Sequence, residues 1–71
     1  MSKTETPQDR LKQLRESRML SLRETAQLSG IGYAWYACIE QGSINPCPEK
    51  LTLIAYALGV EPNQLIQDFI F

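Results

Sequence analysis

Residues 21–42 read SLRETAQLSGIGYAWYACIEQG, and this stretch decides the fold. Ser21 and Glu24 have the S-x-x-E spacing of a capping box, in which each side chain satisfies the other residue's orphan backbone N–H, so a helix is expected to begin at Leu22. Ser29 and Gly30 close it, because glycine takes the left-handed conformation that ends a helix and permits a sharp turn. After that turn the spacing predicts a helix over residues 33–41, with Gly42 as its stop. Tyr36, Ile39 and Glu40 fall on one side of it, and Tyr33, Ala34, Ala37, Cys38 and Gln41 on the other.

Working upstream, Thr6 is a candidate N-cap, Pro7 suits the first helical position, and Asp9 complements the positive end of the helix dipole. A first helix therefore runs from Pro7 to about Arg18, with Leu11 and Leu14 as its apolar stripe, and residues 1–5 are read as a flexible tail. Downstream, Pro46 and Pro48 keep residues 43–47 out of a helix, and Pro48 suits the start of the next one. There Leu51, Ile54, Ala55 and Leu58 recur at i, i+3, i+4 and i+7, the stripe of a core-facing helix, and Gly59 caps it. Pro62 opens a fifth helix carrying Leu65, Ile66, Phe69 and Ile70. No strand pattern survives, so the expectation is an all-α, five-helix domain over residues 6–71.

Seventy-one residues bury only about 60% of the surface their unfolded form exposes, too little for a large catalytic cleft. The chain has no histidine, and its two cysteines, Cys38 and Cys47, have no clustered ligands beside them, so neither metal nor cofactor is expected. Neither cysteine has an adjacent base, and the carboxylates are spread over helix surfaces, so the reading is a non-enzyme. A Cys38 to Cys47 disulfide stays open by count. With no secretory segment read at the N-terminus, reduced thiols and a cytoplasmic location are expected. No apolar run approaches the roughly 20 residues of a membrane span. Net charge is −1, but unevenly placed: residues 1–31 carry six bases against four acids, and residues 32–71 carry Lys50 alone against four acids. Any electrostatic footprint for a polyanion is expected in the N-terminal part, as a ridge of Arg10, Lys12, Arg18 and Arg23.

Five short helices with a glycine turn between the second and third suggest a helix-turn-helix module. Leu20-Ser21-Leu22-Arg23-Glu24-Thr25-Ala26, Ser29-Gly30-Ile31, Ile39-Glu40-Gln41-Gly42, Asn45-Pro46 and Ala57-Leu58-Gly59-Val60 make it specific. In order and spacing they resemble the Cro and phage-repressor (XRE) family, from about Arg10 to Ile66. The resemblance implies a lambda-repressor-like fold and a transcriptional regulator that binds double-stranded DNA. It also implies an inward-facing ion pair between Arg15 and Glu40, whose role is orientation more than net stability.

In this family the third helix lies in the major groove, while the second helix and the loop after the third touch phosphates. Carried over, Tyr33, Ala34, Ala37 and Cys38 are the base-reading positions, and Lys12, Arg23, Gln41, Ser43 and Asn45 the backbone contacts. This helix departs from the family's pattern, for it carries no base, and Gly32 stands where Ser or Thr is usual. One reading is apolar contact with thymine methyl groups plus the Tyr33 hydroxyl. The other is a protein partner, since exposed Tyr33 and Trp35 among small residues suit an interface core. Trp35 has a further role open to it, shielding the edge of helix four, and Cys38 reads as a small inert filler more than as a redox switch. At the far end, Phe69, Ile70 and Phe71 are candidates for a homodimer contact, the alternative being that they fold back onto the same domain.

Overall fold

The computed structural model describes residues 6–70, and the expected tail over residues 1–5 lies outside them. Five helices follow one another: α1 (Pro7–Ser17), α2 (Leu22–Ser29), α3 (Tyr33–Gln41), α4 (Pro48–Leu58) and α5 (Pro62–Ile70). No strand occurs among the described residues. Two N-termini are closed by reciprocal caps. The Asp9 N–H donates to Thr6 Oγ1 at 3.1 Å and the Thr6 N–H to the Asp9 carboxylate, while the Glu24 N–H donates to Ser21 Oγ at 3.0 Å and the Ser21 N–H to Glu24 Oε1 at 2.8 Å.

Four helices end in the same way, with a backbone N–H reaching back five residues: Leu20 to Arg15 at 3.2 Å, Ile31 to Ala26, Ser43 to Cys38, and Val60 to Ala55 at 3.0 Å each. This Schellman arrangement needs a left-handed residue just before the donor. Gly30, Gly42 and Gly59 supply it at φ of 73°, 88° and 73°, but after α1 the residue is Met19 at φ 59°. No local sequence signal marks that fourth turn, because methionine rarely adopts this conformation. At three of the four turns the donor is apolar and joins the core: Leu20, Ile31 and Val60.

The core is Leu11 of α1, Ala26 of α2, Ile31 of the turn, Tyr36 and Ile39 of α3, Leu51, Ile54, Ala55 and Leu58 of α4, and Leu65 of α5. Helix α4 is central, packing on α2 and α5, while α1 packs on α3 and α5. Ala26 of α2 is fully covered, on a helix that packs against both α3 and α4. The exposed face of α4, opposite its core stripe, carries Leu53 and Tyr56 one turn apart.

Thr25 is fully buried on α2, and its Oγ1 has no hydrogen-bond partner among the described residues, although its carbonyl accepts Ser29 Oγ at 2.6 Å. An unpartnered buried hydroxyl costs about 1–3 kcal/mol. Thr25→Val keeps the shape and removes the hydroxyl, so it should raise stability by about 1 kcal/mol in denaturant melts. A lower melting temperature in the variant would show that the hydroxyl has a partner after all.

Candidate nucleic-acid interface

Helix α3 steps by about 100° per residue. Its buried residues are Tyr36 and Ile39, and the opposite side is therefore the strip Ala34, Ala37, Cys38 and Gln41. Ala34 and Gln41 are exposed, while Ala37 and Cys38 are half-buried. Tyr33 and Trp35 stand on the two flanks of this strip, 43% and 37% exposed. Tyr33 faces α2, where the Arg23 guanidinium lies over its ring at 4.5 Å from the centroid. Trp35 faces α4, where the Lys50 ammonium lies over its ring at 5.6 Å. The outward strip is thus uncharged, with three small side chains and the Gln41 amide, and is bordered on each flank by an aromatic ring carrying a cation.

Gly32 occupies the N-cap of α3 and gives no side-chain cap, and no acid stands in the first turn. Beyond the helix, Ile44 is half-buried against the core and Pro46 is buried, and between these anchors Ser43 and Asn45 are left exposed. Gln8 lies beside the Gly42 turn, at 3.9 Å from where a Cβ would stand. Lys12 follows Gln8 by four residues and precedes Arg15 by three, so it occupies the shoulder of α1 nearest α3, where it is exposed.

The other cations of the expected ridge point elsewhere. Arg10 is 3.5 Å from the Asp68 carboxylate across the groove between α1 and α5, and the Arg18 guanidinium donates to the Leu58 carbonyl at 2.7 Å, closing the C-terminus of α4. Sequence reading missed these roles because both depend on which helix lies alongside α1. It also missed Lys50 as a neighbour of α3.

Beneath the strip, the structure brings Arg15 and Glu40 together. Arg15 Nε donates to Glu40 Oε2 at 2.6 Å, Nη2 to Oε1 at 3.2 Å, and Nη1 to the Leu20 carbonyl at 2.7 Å. The two side chains are only 9% and 6% exposed. The Tyr36 hydroxyl donates to the same Glu40 oxygen at 2.7 Å. Hydrogen bonding to Glu40 raises the Arg15 pKa further, and burial, then the Glu40 carboxylate, push the Tyr36 phenol well above its usual range. Tyr36 therefore stays a donor, and the cluster ties α1, the turn after it and α3 into one rigid unit.

Phe69 is half-buried and packs against the core, while the side chain of Ile70 and all of Phe71 lie outside the described residues. Cys38 and Cys47 are free thiols. No group of residues able to hold a metal ion occurs among the described residues, and no helix there is long and apolar enough to cross a membrane.

Comparison with known proteins agrees with this fold. The model of the helix-turn-helix domain family matches residues 9–66. The crystal structure of the restriction-modification controller protein C.AhdI from Aeromonas hydrophila superposes with a TM-score of 0.79, at 32% identity over 83% of this chain and 89% of that one. No curated protein matches the sequence. A five-helix all-α fold, a family match across most of the chain and a close structural likeness to a controller protein converge: the chain belongs to the helix-turn-helix domain family, as a DNA-binding regulator of transcription of the Cro and C1-like type.

Proposed function

We propose that this protein is a sequence-specific regulator in the cytoplasm that reads the major groove with α3, bound to its operator as a homodimer. The observation that carries this reading is the strip Ala34, Ala37, Cys38 and Gln41, solvent-facing on a helix that the Arg15, Tyr36 and Glu40 cluster holds rigid from behind. Small side chains let the helix backbone sink close to the groove floor, where methyl and methylene groups meet thymine methyls and the Gln41 amide and Tyr33 hydroxyl supply hydrogen bonds. Arg23, Lys12, Ser43 and Asn45 then surround the strip as phosphate contacts, fixing register without reading sequence. Likeness to a restriction-modification controller supports a regulator of that kind. For the dimer, the exposed Leu53 and Tyr56 on the outward face of α4 supply apolar surface.

Selection of bound fragments from genomic DNA by the purified protein tests all of this together. A palindrome should be enriched, with half-sites about one helical turn, 34–36 Å, apart. Ala34→Glu places a carboxylate on the strip at an exposed position in the first turn of α3, where the helix dipole favours it, so the fold should melt as before. Its repulsion from phosphates should lower operator affinity at least about tenfold, or about 1.4 kcal/mol. Enrichment of no sequence, or an Ala34→Glu variant that binds as the wild type does, would take α3 out of the groove and leave its uncharged strip to a protein partner.

A further inference from the structure

Two of this chain's cations rest on aromatic rings, and both rings belong to the first turn of α3. Arg23 comes from α2 and sits 4.5 Å from the Tyr33 centroid; Lys50 comes from α4 and sits 5.6 Å from the Trp35 centroid. Both distances lie within the roughly 6 Å over which a ring's negative face holds a cation. Tyr33 and Trp35 lie on opposite flanks of the outward strip, so the two cations border it on opposite sides. Lys50 is also the one base in residues 32–71, a region otherwise acidic. A helix with no base of its own thus has one fixed at each shoulder. A major groove about 12 Å wide has a phosphate strand on each of its two rims.

From this symmetry we infer that Lys50 is a DNA-phosphate contact, and that Tyr33 and Trp35 are positioning residues that hold Arg23 and Lys50 against the two opposing strands. The inference rests on α3 lying in the groove. It assigns to Trp35 a part in binding without contact to any base. The ring limits the rotamers of a long flexible side chain, so less ordering is left to be done when the phosphate arrives. Lysine acts here as a point charge, for which a ring face is sufficient support.

The test uses the full chain and a random-sequence DNA duplex, with affinity read by fluorescence anisotropy across a salt series. Lys50→Gln should flatten the plot of log affinity against log salt by about one unit, the signature of one lost phosphate contact. Lys50→Arg should restore the slope. Trp35→Leu, which keeps the charge and removes the ring, should weaken binding several-fold, and Trp35→Phe should recover most of that loss. Once Trp35 is Leu, adding Lys50→Gln should cost less than it does in the wild type. Circular dichroism melts of each variant separate these effects from unfolding.

A Lys50→Gln protein that is folded and keeps the wild-type slope overturns the assignment of Lys50. Additive losses for Trp35→Leu and Lys50→Gln overturn the positioning role of the ring. A wild-type chain with no salt-dependent affinity for duplex defeats the groove reading of α3 itself, an outcome distinct from the other two.

Discussion

Glu40→Leu is expected to cost about 3–5 kcal/mol of stability, the largest loss from any single change considered for this chain. The carboxylate accepts from Arg15 Nε at 2.6 Å, from Nη2 at 3.2 Å and from the Tyr36 hydroxyl at 2.7 Å. Without it a guanidinium only 9% exposed keeps the Leu20 carbonyl as its one remaining partner among these contacts, and a buried phenol loses its acceptor. Arg15→Met should be nearly as damaging, since it leaves the carboxylate buried with the Tyr36 hydroxyl alone. The double variant should lose much less than the sum, because no uncompensated charge remains and well-packed apolar side chains often replace a buried ion pair at little cost. Urea unfolding of the four proteins measures the cycle. Additivity to within about 0.5 kcal/mol would mean that the two side chains do not depend on one another in solution.

The second large effect is expected at Ile54. It is completely buried on α4, the helix that packs against both α2 and α5. Ile54→Ala removes three carbons from the middle of that contact and leaves a cavity, which costs about 2–5 kcal/mol depending on how far the neighbours relax. Small domains have total stabilities that start near 5 kcal/mol, so a loss at the top of that range would leave this variant partly unfolded at room temperature. Leu53→Ala, one position earlier, is the internal control. Leu53 is 42% exposed on the outward face, and its truncation should change stability by less than about 1 kcal/mol. Equal losses at the two positions would mean that the core face of α4 is wrongly placed.

The helices were legible because their signals are local. Thr6, Ser21, Gly30, Gly42, Gly59, Pro48 and Pro62 punctuate the chain, and the Leu51, Ile54, Ala55 and Leu58 stripe names its own buried side. The turn after α1 was not legible, since Met19 takes a conformation that sequence reading assigns to glycine. Contacts between helices were harder. Arg15 and Glu40 lie far apart in the chain, and only the family resemblance paired them. Nothing in spacing or composition set Arg23 over Tyr33, Lys50 over Trp35, or Arg18 onto the Leu58 carbonyl, because each depends on the angle at which two helices cross. A count of basic residues along the chain therefore overstated the ridge beside α3 and missed Lys50.

The separation between what faces outward on α3 and what holds the fold has a consequence for how such a protein changes over generations. Ala34 and Gln41 are exposed, and neither they nor Ala37 and Cys38 belong to the hydrophobic core or to the Arg15, Tyr36 and Glu40 cluster. Half-buried Ala37 and Cys38 are more constrained, but mutations at Ala34 and Gln41 are nearly free of selection on stability, as surface substitutions generally are. A duplicated copy of the gene can exchange alanine for glutamine, serine or arginine there one step at a time, each intermediate remaining a folded protein. On the proposed reading of α3, divergence of target preference then runs, at those two positions, along a path on which folding sets little barrier.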